Sequence, residues 1–258
     1  MKLKPNLFKK ALKEGRSQLG LWSTLANNIV ADVLSDAGYD WIAIDMEHAP
    51  NEIPTVLSQL QAMNGGTATP IVRLPWNDPV VAKQVLDIGA YTLVFPMVQN
   101  AEDAERAVAT TRYPPRGIRG VALGQRGSRY GRVSDYAESV EQEICIVAQI
   151  ETADAMGRLE EIASVDGIDA VFFGPADLSA DMGHFGKPGN PETMKLMMDG
   201  LETCKRIGIP VGIHASPEAV TLKCLKAGFA FVAIGSDTGL LARQSEALLD
   251  RIKNGNTL

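Results

Sequence analysis

Short apolar runs alternate with longer stretches of helical periodicity along almost the whole chain. The beat is regular: a helical pattern ends in Gly, an aromatic or apolar residue follows, and a short apolar run gives way to polar residues. It appears as Ala37-Gly-Tyr-Asp-Trp-Ile-Ala-Ile-Asp45 and Ile88-Gly-Ala-Tyr-Thr-Leu-Val-Phe95. It returns as Asp166-Gly-Ile-Asp-Ala-Val-Phe-Phe173 and Ala227-Gly-Phe-Ala-Phe-Val-Ala-Ile234. Gly after a helix is the left-handed stop signal, and here it delivers the chain straight into a strand. The apolar runs predict eight strands, near 18–23, 41–45, 70–74, 91–95, 144–150, 170–174, 210–214 and 230–234. Amphipathic patterns predict helices over roughly 28–37, 54–63, 78–88, 101–111, 153–164, 191–207, 217–227 and 238–253. Asn-Asp-Pro (77–79), Asn-Pro-Glu (190–192) and Ser-Pro-Glu (216–218) each place a capping residue and a Pro at a helix start. Leu3, Leu7, Phe8 and Leu12 add a short amphipathic helix at the beginning.

Strands that alternate with helices imply a parallel sheet. Eight such units in 258 residues fit a closed (β/α)8 TIM barrel, with residues 1–258 as a single domain. A doubly wound open sheet is the alternative, but it carries a Gly-rich phosphate turn after its first strand, and here that turn is Leu21-Trp-Ser-Thr24. One segment breaks the beat. Residues 112–143 have no strong strand and carry Arg112, Arg116, Arg119, Arg126, Arg129 and Arg132. They are expected to form a long loop after strand four on the functional face, either as a subunit contact or solvated basic loop, or with one or two arginines receiving a substrate carboxylate.

In such a barrel the chemistry lies at the C-terminal ends of the strands. The run Ile144-Cys-Ile-Val-Ala-Gln-Ile-Glu151 and its later counterpart Val171-Phe-Phe-Gly-Pro-Ala-Asp177 both end in a carboxylate. A buried carboxylate is costly unless it is paired or binds a cation. Two at neighbouring strand ends suit Mg²⁺ or Mn²⁺, completed by substrate oxygens and water. Strand two runs into Asp45-Met-Glu-His48, where Asp45 is placed to orient the imidazole as a general base. Strand three ends at Arg73, whose planar fork suits a carboxylate or enolate oxygen. The Gly174-Pro175-Ala176 turn is expected to lead into a loop with N–H groups available to a carboxylate.

Composition removes other classes. A net charge of −6 and a pI near 5.2 argue against nucleic acid or an anionic membrane as partner. Cys145, Cys204 and Cys224 sit in apolar periodic segments without metal-type spacing, as reduced core residues of a cytoplasmic protein would. The start lacks the apolar region of a signal peptide, and no run of about 18 apolar residues suggests a membrane span. No lysine falls at a predicted strand end, which disfavours Schiff-base catalysis. No phosphate loop or dinucleotide fingerprint is present, and no cysteine has a histidine placed beside it. Metal, base and arginine remain, a set that suits proton abstraction next to a carbonyl with an enolate held on the metal.

At this point Asp45-Met-Glu-His-Ala-Pro-Asn51, Val72-Arg-Leu-Pro-Trp-Asn-Asp-Pro79, Gln149-Ile-Glu-Thr152, Gly174-Pro-Ala-Asp-Leu-Ser-Ala-Asp-Met-Gly183 and Ile234-Gly-Ser-Asp237 are on view together. In this order, across nearly the whole chain, they resemble the HpcH/HpaI family of class II, metal-dependent pyruvate aldolases. The resemblance implies a phosphoenolpyruvate/pyruvate-type barrel assembled as a homohexamer, a trimer of dimers with the last helix exchanged between neighbours. It implies Glu151 and Asp177 as ligands of Mg²⁺, Mn²⁺ or Co²⁺, with Gln149 beside them. His48, paired with Asp45, becomes the base, and Arg73 the residue that polarises the pyruvate carbonyl. Gln149, Gly174, Ala176, Asp177 and Trp22 form the expected substrate-binding set, and Asp87 matches a position that reaches a neighbouring subunit's site. The family usually has Gly where Met46 stands, so this Met is expected to narrow the pocket or shift the His48 backbone. His214, at the end of strand seven, carries no part of the resemblance and is expected to be a hydrogen-bonded strand-end histidine.

The expected reaction is reversible aldol cleavage of a 4-hydroxy-2-oxo acid, such as 4-hydroxy-2-oxoheptanedioate or 2-dehydro-3-deoxyglucarate, to pyruvate and an aldehyde. The alternatives are a related carbon–carbon lyase acting on a CoA thioester, supported only by the basic segment, and a non-catalytic 2-oxo-acid-binding protein. The aldehyde, the preferred metal and the stereochemistry are not legible.

Overall fold

In the computed structural model, which describes residues 1–255, eight parallel strands close on themselves in chain order. They are β1 (Gln18–Ser23), β2 (Trp41–Asp45), β3 (Thr69–Arg73), β4 (Thr92–Phe95), β5 (Cys145–Ile150), β6 (Ala170–Phe173), β7 (Val211–His214) and β8 (Phe231–Ser236). This is the expected TIM barrel, with strand bounds within two residues of the apolar runs. Residues 256–258 of the expected domain span lie outside the described residues. Around the barrel run α1 (Leu7–Lys13), α2 (Asn28–Ser35), α3 (Ile53–Ala62), α4 (Pro79–Asp87), α5 (Ala101–Thr111), α6 (Tyr136–Glu143), α7 (Ala153–Gly157), α8 (Leu159–Ala163), α9 (Pro175–Asp181), α10 (Pro191–Ile207), α11 (Glu218–Ala227) and α12 (Asp237–Lys253). The capping signals work as read at two starts: Asp78 accepts from the N–H groups of Val80 and Val81, and Asn190 from Glu192. Among the described residues no helix is long and apolar enough to cross a membrane.

The alternation of side chains along each strand decides what faces the interior. On β2, Ile42 and Ile44 pack outward under the helices, while Trp41 and Ala43 point into the barrel. Asp45 continues that inward series. Likewise Ile71 leads to Arg73, Cys145 and Val147 to Gln149 and Glu151, and Ala170 and Phe172 to Gly174. The interior is packed, not hollow. Trp41 occupies the space beside Gly20, where a Cβ would stand 2.1 Å from its indole ring. The floor is closed by α1: the Phe8 ring lies 5.1 Å from Phe231 and 6.2 Å from Trp41. Asn6 fixes this plug, capping α1 through Lys9 N–H and donating to Thr92 Oγ1 at 2.8 Å.

Three expectations are corrected. The helix expected over 153–164 breaks at Arg158, whose backbone (φ −108°, ψ 13°) leaves the helical region just after Gly157. The loop expected after Gly174-Pro175-Ala176 is the first turn of α9. The largest correction concerns residues 112–143, which contain α6 and follow α5 directly. A connection from helix to strand lies at the N-terminal face of a barrel, opposite the mouth. Accordingly Arg126 and Arg129 border a cavity of about 220 Å³ at the starts of β3 and β4. Arg126 donates to the carbonyls of Leu60 and Ile88, Arg112 and Arg116 pair with Glu141, and the buried Arg119 pairs with Asp87 at 2.8 Å. These arginines hold helix ends and loop together, and none of them lines the mouth.

Candidate active site

The C-terminal ends of the strands surround a cavity of about 400 Å³. Trp22, Asp45, His48, Arg73, Gln149, Gly174, Ala176 and Asp177 all border it, so most of the expected site residues come together. Glu151 lies just beneath, 1% exposed. Asp87 does not reach the cavity within the protomer, since it closes α4 at the opposite face on Arg119.

Arg73 is over-determined. Register places Asp45 of β2 beside Arg73 of β3. The guanidinium therefore forks onto one carboxylate, Nε to Oδ1 at 2.9 Å and Nη2 to Oδ2 at 2.6 Å. Nη1 lies 2.9 Å from Glu47 Oε2, and the Trp22 ring stacks against the guanidinium, 4.4 Å from its centroid. A planar cation held this way has little freedom left to lose when it meets an anionic oxygen. The same geometry corrects the expected Asp45–His48 pair. Asp45 spends its oxygens on Arg73 and on the N–H groups of Glu47 and His48, not on the imidazole. The His48 ring stands in the mouth, 62% exposed, with Nε2 3.9 Å from Glu47 Oε2.

Glu47, not among the expected site residues, continues the inward series Trp41, Ala43, Asp45. Burial, partly opposed by Arg73 and reinforced by Asp45 and Asp177, pushes its carboxyl up to about 7. Glu151 is also pushed up to about 7. Burial is the main cause, the Met97 N–H opposes it, and the nearby charges of Glu47 and Asp177 add to it. Met97 supplies that N–H at 2.9 Å from a left-handed backbone conformation (φ 52°), unusual for a residue with a side chain. Gly174 is required by the same carboxylate, because a Cβ there would stand 2.9 Å from Glu151 Cγ.

Three acidic groups thus converge with more negative charge than Arg73 neutralises, and Gln149 adds a buried Oε1 with no hydrogen-bond partner. Carboxylate and amide oxygens are what a hard divalent cation takes. Among the described residues no three Asp, Glu, His or Cys side chains complete a shell by themselves. The donor set therefore fits a cation held by two carboxylates and finished by oxygens of substrate and water.

Two further residues frame the site. Asp237, at the start of α12, accepts from Thr24 N–H, Leu25 N–H and Thr24 Oγ1, tying the turn after β1 to the end of β8. Met46 follows the outward parity and is buried among Ile44, Val72 and their helical neighbours, so it neither lines nor narrows the cavity.

Fold and site together define a barrel enzyme whose mouth gathers carboxylates about a fixed arginine. The family model for HpcH/HpaI aldolase/citrate lyase matches residues 18–244. The chain belongs to this family, and with it to the aldolase-type carbon–carbon lyases. It is 49% identical over 97% of its length to the pyruvate aldolase of Rhizobium etli, covering 99% of that protein. It is 51% identical over 98% of its length to the 4-hydroxy-2-oxo-heptane-1,7-dioate aldolase of Klebsiella pneumoniae, covering 96% of it. A crystal structure of a family protein from Burkholderia cenocepacia superposes with a TM-score of 0.94 at 36% identity, covering 96% of this chain and 99% of that one.

Proposed function

We propose that the protein is a class II aldolase that reversibly cleaves a 4-hydroxy-2-oxo acid to pyruvate and an aldehyde. The observation that carries this reading is the clamped Arg73 set beside carboxylates whose summed charge calls for a cation. Glu151 and Asp177 would hold a divalent ion (Mg²⁺, Mn²⁺ or Co²⁺), with Gln149 beside them. Bound there, such an ion acts as a Lewis acid toward an oxygen-rich substrate.

The protein's own groups account for the rest. Arg73 faces the keto oxygen, where negative charge develops as the C3–C4 bond breaks, and stabilises the pyruvate enolate. Asp45, Glu47 and Trp22 keep its fork in place, so the stabilising charge is positioned before reaction. His48, open to the mouth, takes the proton of the 4-hydroxyl through a water, and the C4 fragment leaves as the aldehyde. The proton taken by His48 then returns through the water to C3 of the enolate, which gives pyruvate and restores the neutral base. The first turn of α9, at Ala176 and Asp177, offers N–H groups without helical acceptors to the pyruvate carboxylate, while the Gly174 N–H is already spent on the Ile150 carbonyl. No lysine borders the cavity among the described residues, which leaves Schiff-base formation without a nucleophile.

The rest of the reading concerns the whole protein: one barrel domain, in a reducing cytoplasm that suits three buried, unpaired cysteines. It assembles as a homohexamer with α12 exchanged between neighbours. Leu240, Leu241, Leu248, Leu249 and Ile252 leave α12 with exposed apolar side chains that such an exchange would cover. In that assembly a neighbour's Asp87 would approach the mouth. The thioester alternative loses its support, because the basic segment lies at the other face.

Proton–deuterium exchange at the pyruvate methyl, followed with Mn²⁺ and with EDTA, tests the reading. Exchange that needs the metal and resists borohydride is expected. Exchange undiminished by EDTA, or binding of pyruvate without any exchange, would sink it, and the second outcome would favour a 2-oxo-acid-binding protein.

A further inference from the structure

His214 closes β7 two residues beyond the inward-facing Gly212 and borders the same cavity as Arg73. Its half-buried imidazole makes no hydrogen bond to any other described residue, in contrast to the tightly engaged groups around it. Burial, assisted by the Arg73 charge, holds its pKa below the ordinary histidine range. The ring is thus neutral at neutral pH and offers one N–H donor and one lone-pair acceptor. Thr24, Ser216 and Ser236 border the same side of the cavity, where the Thr24 and Ser236 hydroxyls already engage Asp237, Thr238 and Gly239 and the Ser216 hydroxyl stands beside His214 as a further neutral polar group. Arg73 is the one cation bordering the cavity among the described residues, and its three nitrogens already face Asp45 and Glu47. Lys187, which precedes the bordering Pro188, is exposed and not itself part of the wall.

A wall of this kind discriminates. A neutral imidazole among hydroxyls pairs well with a substrate hydroxyl, which can both donate and accept. It offers a second carboxylate no counter-charge, and desolvating that carboxylate without one is costly. The Klebsiella pneumoniae relative is named for a substrate with a second carboxylate at its far end. We propose that His214 is a specificity-determining residue that turns the β7–β8–β1 side of this cavity toward aldehydes bearing hydroxyl groups and away from those bearing a second carboxylate. This rests on the aldolase reading of the site.

The test is aldol addition to pyruvate by the Mn²⁺-loaded full chain, with glyceraldehyde, propanal and succinic semialdehyde as acceptors. The wild type is expected to favour glyceraldehyde over both others in kcat/KM. His214→Phe should cut the glyceraldehyde-to-propanal ratio by about tenfold, the size of one substrate hydrogen bond lost at a polar site. His214→Gln, which keeps a donor and an acceptor, should retain most of it; a general loss of fold or positioning would lower both acceptors together. An unchanged ratio in the Phe variant, or a wild type that prefers the semialdehyde, overturns the proposal while wild-type deuterium exchange leaves the aldolase reading standing. Absence of both exchange and addition overturns the two together.

Discussion

The two ends of the barrel both hold charged side chains out of water, but they balance them differently. At the N-terminal face each arginine charge is met by oxygen atoms or an aromatic ring, although the buried Arg119 keeps Nε and Nη1 without a hydrogen-bond partner. Arg126 takes two helix-end carbonyls, Arg112 takes Glu141, and Arg119 takes Asp87 and stacks on Tyr113 at 4.6 Å. At the mouth Arg73 is equally well held, but Glu47, Glu151 and Asp177 remain in excess, and burial raises two of them to about 7. A charge-balanced cluster is architecture. One with carboxylates in excess is a site awaiting a cation, because a chain selected for stability alone would not bury carboxylates that repel one another.

Because of this difference, Glu151→Gln separates activity from stability. It removes an expected metal ligand, so kcat/KM for aldol cleavage should fall by roughly 10³-fold or more. It also removes a buried like charge, so the metal-free variant should melt no lower than wild type at pH 8. Calorimetry showing a loss of several degrees would mean that the carboxylate is structural after all. Arg73→Lys comes next. Lysine keeps the charge but cannot fork onto Asp45, so kcat/KM should drop about 10²–10³-fold by comparison with lost oxyanion donors, with little change in Tm. The N-terminal face should respond in the opposite sense. Arg119→Leu strands Asp87 and empties the place beside Tyr113; a loss of roughly 3 kcal/mol in urea unfolding is expected, with deuterium exchange per folded molecule close to wild type. A selective loss of exchange would instead report displacement of the Asp87 that is proposed to approach a neighbour's mouth.

The sequence distinguished these two faces only in part. Strand positions were legible because Gly stops and short apolar runs are local signals. The inward layer followed from them, since a period of two carries Trp41 and Ala43 to Asp45, and Ile71 to Arg73. The same count, continued past the end of the strand, also reaches Glu47 and sends Met46 outward. The arginine segment follows strand four in sequence, but the helix over 101–111 intervenes and carries it to the opposite end of the barrel. The Asp45–Arg73 fork depends on register between two strands 28 residues apart, and the nearer His48 looked the better partner in sequence. The Met97 N–H left no trace at all, because a Met in the left-handed region has no sequence signature.

The smallest effect is the one that reads the charge excess directly. Glu47 and Glu151 hold their protons up to about pH 7 in the fold but release them near 4.5 when unfolded. Between those values the folded state binds more protons than the unfolded state, so metal-free stability should decline as pH rises through this window and level off above 7. A fall in Tm of roughly 5 °C between pH 5 and 8 is expected, and it should be shallower in Glu151→Gln. A divalent cation competes with those same protons, so the Tm gained on adding Mn²⁺ should be small at pH 5 and grow toward pH 8. The dependence therefore changes character with the ligand: protons relieve the repulsion at low pH and the metal relieves it at high pH. If Mn²⁺ raised Tm equally at both pH values, it would be binding away from these carboxylates, and the excess charge at the mouth would need another explanation.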